Sequence, residues 1–306
     1  MSITKKRRIK LSPGEKVFSF CVYAFVTFMF LITLYPLVYV LSASFSDPFS
    51  VSSGRMLLWP IDPNLEGYAM VFKNSYIWIG YRNTIFYTVV GTIFQLCATL
   101  PCAYALSRRD LQGRGMIMTF FMIPMYFSGG LIPGFINMKD LGLMNTPWAM
   151  LIPGLVSTYN MIVARTFFAN TIPWELTEAS YLDGASNFQL FLKIIIPLSA
   201  PIIVVEALYY GVAHWNAYFN AMIYLESRNL MPLQVFLKEI LTQAQISKDM
   251  LEGLTPEEVL LMEQQAEAAN RMKYCVIVVS TVPMMIVYPR LQKYFEKGVM
   301  IGSVKG

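Results

Sequence analysis

The residues best suited to do work in this chain form a short polar island, Glu178-Ala179-Ser180-Tyr181-Leu182-Asp183-Gly184-Ala185, followed by Phe188, Phe191, Ile194, Pro197 and Pro201. Nothing in the set makes or breaks bonds, since no nucleophile stands with a base and no metal-ligand spacing occurs. Its chemistry is recognition. Pro173 suits the first turn of a helix, where its missing N–H costs nothing, and Glu175 and Glu178 lie near the positive end of that helix's dipole. Gly184 supplies the backbone freedom to leave the helix, Ser186 caps the next one, and Pro197 ends it. Two short helices at an angle, set between two long apolar runs, make a rigid knob that another protein can grip and push.

A second set lies inside an apolar run: Glu206, Tyr209, Tyr210, His214, Trp215, Asn216, Tyr218 and Asn220. Polar side chains at membrane depth face a cavity or another helix. Aromatic faces grip the C–H surfaces of sugars, while amides and carboxylates bond their hydroxyls, so the set is a candidate solute path; Tyr159, Asn160 and Arg165 in the preceding run join it. The plainer reading is that these groups only pack helices together. His214 is the single histidine and has no Cys or His near it in sequence, and Cys21, Cys97, Cys102 and Cys275 all fall in apolar runs without metal-ligand spacing. The cysteines are therefore expected to be small buried apolar residues, with no metal. No Gly-x-x-x-x-Gly-Lys-Ser/Thr loop is present to cradle ATP phosphates, and no paired carboxylates flank a pocket-like segment, so neither an enzyme nor a bound cofactor is expected.

These groups must be positioned by membrane helices. The chain is 56% hydrophobic and 14% charged, with a mean hydropathy of +0.49, too apolar for an ordinary soluble domain. Spans are expected at about 17–45, 83–107, 115–137, 145–168, 198–225 and 270–290, giving an all-α polytopic fold of six transmembrane helices. Residues 1–16 form an N-terminal tail, 17–293 the transmembrane domain and 294–306 a C-terminal tail, with outer loops at 46–82 and 226–270 and an inner loop at 170–197. Lys5, Lys6, Arg7, Arg8, Lys10 and Lys16 precede the first span, Arg108, Arg109 and Arg114 link the second to the third, and Arg290, Lys293 and Lys297 follow the last. An even number of spans puts them all, with the 170–197 loop and both termini, in the cytoplasm. The net charge of +5 thus reflects topology and gives no reason to expect nucleic acid. In the outer loops, Pro63–Phe72 reads as a short amphipathic helix, Pro232-Leu233-Gln234 opens a helical pattern, and Thr255-Pro256-Glu257-Glu258 marks another helix start.

The run Glu178-Ala179-x-x-x-Asp183-Gly184-Ala185, with Phe188, Phe191, Ile194, Pro197 and Pro201 at these spacings, resembles the coupling loop of bacterial ABC importer permeases. Ser180 departs from it, standing where that family usually has a second alanine. The ending Tyr294-Phe295-x-Lys297-Gly298-Val299-Met300-x-Gly302-Ser303-Val304-Lys305-Gly306 resembles the tail of the second permease subunit in sugar importers of the maltose-transporter group. Met231-Pro232-Leu233-Gln234 and the acidic 250–268 segment resemble permeases for oligosaccharides, including plant polysaccharide fragments, in Gram-positive bacteria.

The resemblance implies a type I ABC importer permease fold in a bacterial plasma membrane. It also implies partners: a second, homologous permease forming a heterodimer, two ATPase subunits that carry the ATP and magnesium, and an extracellular solute-binding protein delivering a carbohydrate. Carried over, Glu178, Ala179, Asp183, Gly184 and Ala185 would dock in a cleft of the ATPase. Lys297, Gly298, Gly302 and Lys305 would reach toward the ATPase interface in an extended tail that glycine permits. Glu206, Tyr210, His214, Trp215, Asn216, Tyr218 and Asn220 would line the solute path. The alternatives are a permease subunit for an amino acid, phosphate ester or polyamine, and a membrane sensor without transport.

Overall fold

The computed structural model describes residues 12–245 and 255–303, with side chains described up to residue 290 apart from Pro256. Lys5, Lys6, Arg7, Arg8, Lys10, Lys305 and Gly306 lie outside the described residues, as do the side chains of Lys293 and Lys297.

The helices follow in the order α1 (Pro13–Phe45), α2 (Pro48–Ser52), α3 (Glu66–Lys73), α4 (Ser75–Ser107), α5 (Arg114–Tyr126), α6 (Leu131–Asp140), α7 (Trp148–Leu151) and α8 (Thr158–Thr171). Next come α9 (Trp174–Leu182) and α10 (Asn187–Leu190), a π-helical turn at Phe191–Ile195, and α11 (Ile196–Leu198). The chain ends with α12 (Ala200–Trp215), α13 (Phe219–Tyr224), a 3₁₀ turn at Arg228–Leu230, α14 (Leu233–Gln243) and α15 (Pro256–Ser303). Among the described residues there is no strand.

α1 starts on a capping box, in which Ser12 Oγ accepts from the Glu15 N–H at 3.3 Å and Glu15 Oε2 accepts from the Ser12 N–H at 2.6 Å. Along its 33 residues only Ser42, Ala43 and Ser44 are buried. Phe18, Phe20, Tyr23, Phe25 and Phe28 all point outward, which water does not tolerate and hydrocarbon does.

α4 is the opposite case and forms the centre of the bundle. Its buried positions, Ile77, Gly80, Thr84, Tyr87, Gly91, Gln95, Thr99, Ala103 and Leu106, recur every three or four residues and so share one face. That face packs on α12, α8 and α14. Gly91 sits against the His214 ring, where an added Cβ would lie 2.5 Å from Cε1, and at Gly80 it would lie 2.8 Å from the Leu233 Cα. Glycine is needed at both places because the helices approach that closely.

Three helices are alone long and apolar enough to cross a membrane, within 13–45, 75–107 and 257–290, and the count reaches five if each of two bent pairs is one span. The expected spans are therefore met unevenly. The second starts eight residues earlier than composition suggested, at Ser75, because Asn74 caps it by accepting from the Tyr76 N–H at 3.0 Å. The third is broken: α5 and α6 meet at 114° across the Gly129–Gly130 turn, Gly130 having φ +87°. The expected 145–168 span is not one helix. Pro153 and Gly154 (φ +70°) interrupt it, leaving α7 and the 14-residue α8. The last span belongs to a much longer helix, the 48-residue α15.

The amphipathic helix expected near 63–72 is α3, with Val71 fully buried. The helix starts expected at Pro232 and Thr255 open α14 and α15, the second with Thr255 and Glu258 capping each other. Cys275 is buried as expected, whereas Cys21 and Cys97 are exposed, because they fall on outward helix faces.

Replacing Gly91 with valine is expected to lower the stability of the purified protein by about 1–3 kcal/mol through overpacking against His214. A thermal melt should show this as a reduced Tm, whereas Gly14→Val, where an added Cβ meets nothing within 4 Å, should leave the Tm in place.

Candidate functional site

The polar island folds as helix, glycine turn and helix. Pro173 stands just before α9 as its N-cap residue, with Glu175 in the first turn. Gly184 leaves the helix in the left-handed region at φ +74°, where a side chain is strained. The turn closes through Gly184 N–H to Tyr181 O at 3.0 Å and Ala185 N–H to Ser180 O at 2.9 Å. Ser186 then caps α10 in a reciprocal box with Gln189 (3.3 and 2.9 Å). A π-helical turn at 191–195 carries the chain through Pro197 to Ser199, where it bends by 81° into α12. The buried Ser199 hydroxyl donates to Ile195 O at 2.6 Å and closes that bend.

The inner side of the knob is anchored by Leu190 and Ile195, fully buried against Leu100, Ala103, Met161, Ala164 and Phe168. Its outer side is free. Glu178, Ala179, Asp183 and Gly184 are all exposed and Ala185 is half-buried behind them, so the structure brings the expected docking residues onto one surface. Leu182, which the sequence reading did not single out, is 90% exposed beside them, and Phe188 is 70% exposed. Neither Glu178 nor Asp183 is ion-paired among the described residues. Ser180, the departure from the family pattern, is buried and donates to Leu176 O at 2.7 Å, away from the exposed surface. An apolar tip flanked by unpaired acids is a surface made for contact.

Beside that apolar anchor, one polar residue ties the knob to the rest of the protein. Arg108, at the end of α4, donates through Nη1 to Asn187 Oδ1 at 3.0 Å, through Nη2 to Tyr181 OH at 2.6 Å, and through Nε to Asp110 Oδ1 at 2.9 Å. Its guanidinium also lies 5.8 Å from the ring centres of Trp174 and Tyr181 and 6.0 Å from that of Tyr104. The Asp110 hydrogen bonds hold the guanidinium above its ordinary pKa against partial burial, with Tyr181 adding to them, and the same contact holds the Asp110 carboxyl below the usual carboxylate range. In sequence, Arg108 had meaning only as an orientation signal. Its partners are distant along the chain, and no local pattern reveals them.

The polar set of the fifth apolar run divides in two. Tyr210 OH bonds Thr99 Oγ1 at 2.7 Å and accepts from the Ser157 N–H at 3.3 Å. His214 Nε2 meets Gln95 Oε1 at 3.0 Å, and Trp215 Nε1 donates to Ser280 O at 3.1 Å. These three are buried and spend their polar atoms fastening α12 to α4, to the 152–157 segment and to α15. Asn216, Tyr218 and Asn220 are exposed. Of these three, Asn216 lines a cleft of about 530 Å³, together with Trp215, Gln234, Ser280, Thr281 and Tyr288. Glu206 is fully buried, and neither carboxyl oxygen has a partner among the described residues. It is sealed within the bundle, so the structure does not join it to a path. Among the sequence candidates of α8, Asn160 is buried, Tyr159 is exposed, and Arg165 donates to Leu106 O at 2.9 Å.

The C-terminal segment departs from the extended tail expected on glycine. Backbone helix runs on through Ser303, so Gly298 and Gly302 lie within α15, where Leu291, Gln292, Lys293, Glu296 and Lys297 supply helix formers.

Residues 77–301, which hold the knob, the spans around it and α15, match the family described as binding-protein-dependent transport system inner membrane component. The chain belongs to that family. The permease is 37% identical over 296 residues to the polygalacturonan/rhamnogalacturonan transport system permease protein YtcP of Bacillus subtilis (strain 168), covering 95% of this chain and 99% of the relative. It is 35% identical to Protein LplC of the same organism, covering 96% and 97%. Among solved structures it is similar to a chain of a bacterial ABC transporter involved in the import of the acidic polysaccharide alginate. That match has a TM-score of 0.81 at 33% identity and covers 94% of this chain and 99% of that one.

A buried carboxyl group without a partner costs stability that an apolar group of similar size does not. Glu206→Leu is expected to raise the Tm of the purified permease, by an amount corresponding to about 1–3 kcal/mol. A lowered Tm would mean that the carboxyl is satisfied in the folded protein.

Proposed function

We propose that this permease forms half of the translocation path of an ATP-driven importer for oligosaccharides, and that acidic, uronate-containing fragments are the favoured class. The observation that carries the first part is the exposed knob, with Glu178, Asp183 and Leu182 turned outward from a rigid base. An importer whose own chain lacks a phosphate-cradling loop must take its driving force from another subunit, and this surface is shaped to receive it. The relative named for polygalacturonan and the structure described for alginate support the second part, since both polymers are built from uronic acids.

In this reading the knob and both termini face the cytoplasm, and a cleft in each of two ATPase subunits receives one knob from each permease. A second, homologous permease covers the outward apolar faces and closes the path. An external binding protein delivers the sugar to the side carrying α14 and the 226–232 segment. ATP-driven closure of the ATPase pair pushes the knobs, and the bundle alternates between its two openings. Asn216, which lines the cleft with Trp215, and the exposed Tyr218 and Asn220 are the residues of this chain assigned to the sugar; Tyr210 and His214 brace the helix before them. The C-terminal segment around Lys297 to Lys305 is assigned to the ATPase interface.

Reconstitution with the cognate partners tests this. Leu182→Arg and Gly184→Trp are expected to abolish solute-stimulated ATP hydrolysis while membrane insertion and Tm of the permease stay unchanged for Leu182→Arg, whose side chain is 90% exposed. Gly184→Asn, a residue that tolerates the left-handed region, should retain most activity. Hydrolysis that persists in Leu182→Arg and Gly184→Trp would remove the knob from the coupling route. For the solute, oligogalacturonates should stimulate hydrolysis and neutral oligosaccharides of equal length should not; the reverse order would overturn the acidic class.

A further inference from the structure

Besides the apolar packing of Leu190 and Ile195 on α4 and α8, force applied at the knob has three ways into the bundle, and two of them are interrupted. The knob is covalently joined to α8, but α8 has only 14 residues, and the Pro153–Gly154 break in the preceding 152–157 segment parts it from α7. It is also joined to α12, but through the 81° bend at Ser199. The third way is not covalent. Arg108 bonds both knob helices, to Tyr181 on α9 and Asn187 on α10, and it continues directly into α4. Among the described residues α4 is the one helix of 33 residues whose end is bonded to the knob.

The other end of α4 is fastened just as firmly. Asn83 Nδ2 donates to Asn229 O at 2.7 Å and to Met231 O at 2.9 Å. Tyr87 OH donates to Leu230 O at 2.8 Å, and Thr84 Oγ1 accepts from the Leu233 N–H at 2.8 Å. A second guanidinium stands here, that of Arg228, 4.7 Å from the Tyr76 ring centre on α4 and 5.4 Å from that of Phe236 on α14. From Arg108 to Asn83 is about 37 Å along the helix. Between them α4 is held on its flank by the Gln95–His214 and Thr99–Tyr210 bonds. Pro101 removes one backbone bond within the cytoplasmic third of the helix, and the Thr99–Tyr210 bond is half a turn away.

We infer that α4 is a rod that carries displacement of the knob to the surface formed by the 228–230 turn and α14, and that Arg108 is the positioning residue that engages it. The inference rests on the knob being the ATPase dock. It goes further by assigning the route, and it ties the state of one partner face to the shape of the opposite one. A guanidinium is needed because one planar group must serve acceptors on two helices and the neighbouring acid at once. Lysine has one nitrogen and no fork. Coupling over such a distance requires an element with two arrangements, so the test reads position at both ends.

The full complex is reconstituted with Leu182→Cys on the knob and Lys238→Cys on α14, both exposed, in a background with Cys21 and Cys97 replaced by serine. Crosslinking of position 182 to the ATPase subunit reports docking, and spin labels report movement at each end on adding ATP and trapping the hydrolytic state. In the parent complex both ends should shift. In Arg108→Ala the crosslink and the shift at 182 should persist, the shift at 238 should be lost, and solute moved per ATP hydrolysed should fall tenfold or more. Arg108→Lys should behave like Arg108→Ala. The double variant Tyr181→Phe with Asn187→Ala, which leaves α4 untouched, should give the same loss if Arg108→Ala fails to assemble. A shift at 238 and a solute-to-ATP ratio equal to the parent's in these variants, with the crosslink intact, would overturn the rod. Full rescue by lysine would overturn the guanidinium's role. Absence of the crosslink in the parent complex would overturn the docking reading itself, and the rod with it.

Discussion

Inside a lipid bilayer a polar group has only its protein neighbours to satisfy it, and the fold of this permease is organised by that constraint along one face of α4. Thr84, Asn83 and Tyr87 bond the 229–233 backbone, Gln95 bonds His214 and Gly154 O, and Thr99 bonds Tyr210. Gly80 and Gly91 let the partners come close enough for those bonds to form. Apolar packing in lipid discriminates poorly between one helix pairing and another, because tails and side chains are equally apolar. The bonded seam is what selects one register of α12 and α14 against α4. Glu206, one turn before Tyr210, lacks such a partner among the described residues, as do the hydroxyls of Thr88 and Thr92 on α4, and of these groups the carboxyl is the costliest to leave unpaired.

Local features were legible in the sequence wherever a single residue dictates backbone shape. Gly184 left its helix in the left-handed region, Ser186 capped the next, and Thr255 opened α15, each for the reason its residue type supplies. The shared exposure of Glu178, Ala179, Asp183 and Gly184, the residues proposed to dock, was legible because they lie within one short segment whose helix and turn fix their common face. Span boundaries were less so. Composition marks where a chain is apolar and not where its helix starts, so the two turns of α4 before Asn83, which contain Arg82, looked like loop. Pro153 and Gly154 stand inside an apolar run that composition marks as one span, whereas together they interrupt the helix. The Arg108 clasp was illegible for a different reason: its partners are brought together only by tertiary structure.

The polar residues of the fifth run show how one composition serves two purposes. Tyr210, His214 and Trp215 turn to neighbouring helices and act as fasteners, while Asn216, Tyr218 and Asn220, just past the end of α12, are exposed. The division falls where the helix ends. Residues four apart on α12, 206, 210 and 214, must share its buried face, and the turn after Trp215 is the first place where the backbone can present polar groups elsewhere.

α1 touches the rest of the protein almost only near its last turns, through Ser42 to Leu58 O at 2.5 Å, Ser44 to Tyr68 OH at 2.8 Å, and Cys275 Sγ to Ser44 O at 3.2 Å. At about 50 Å it is far longer than the roughly 30 Å of hydrocarbon it has to cross. A helix hinged at one end and overlong for its solvent takes its slant from the thickness of the surrounding lipid, so the reach of this arm is a property the membrane sets as much as the protein does.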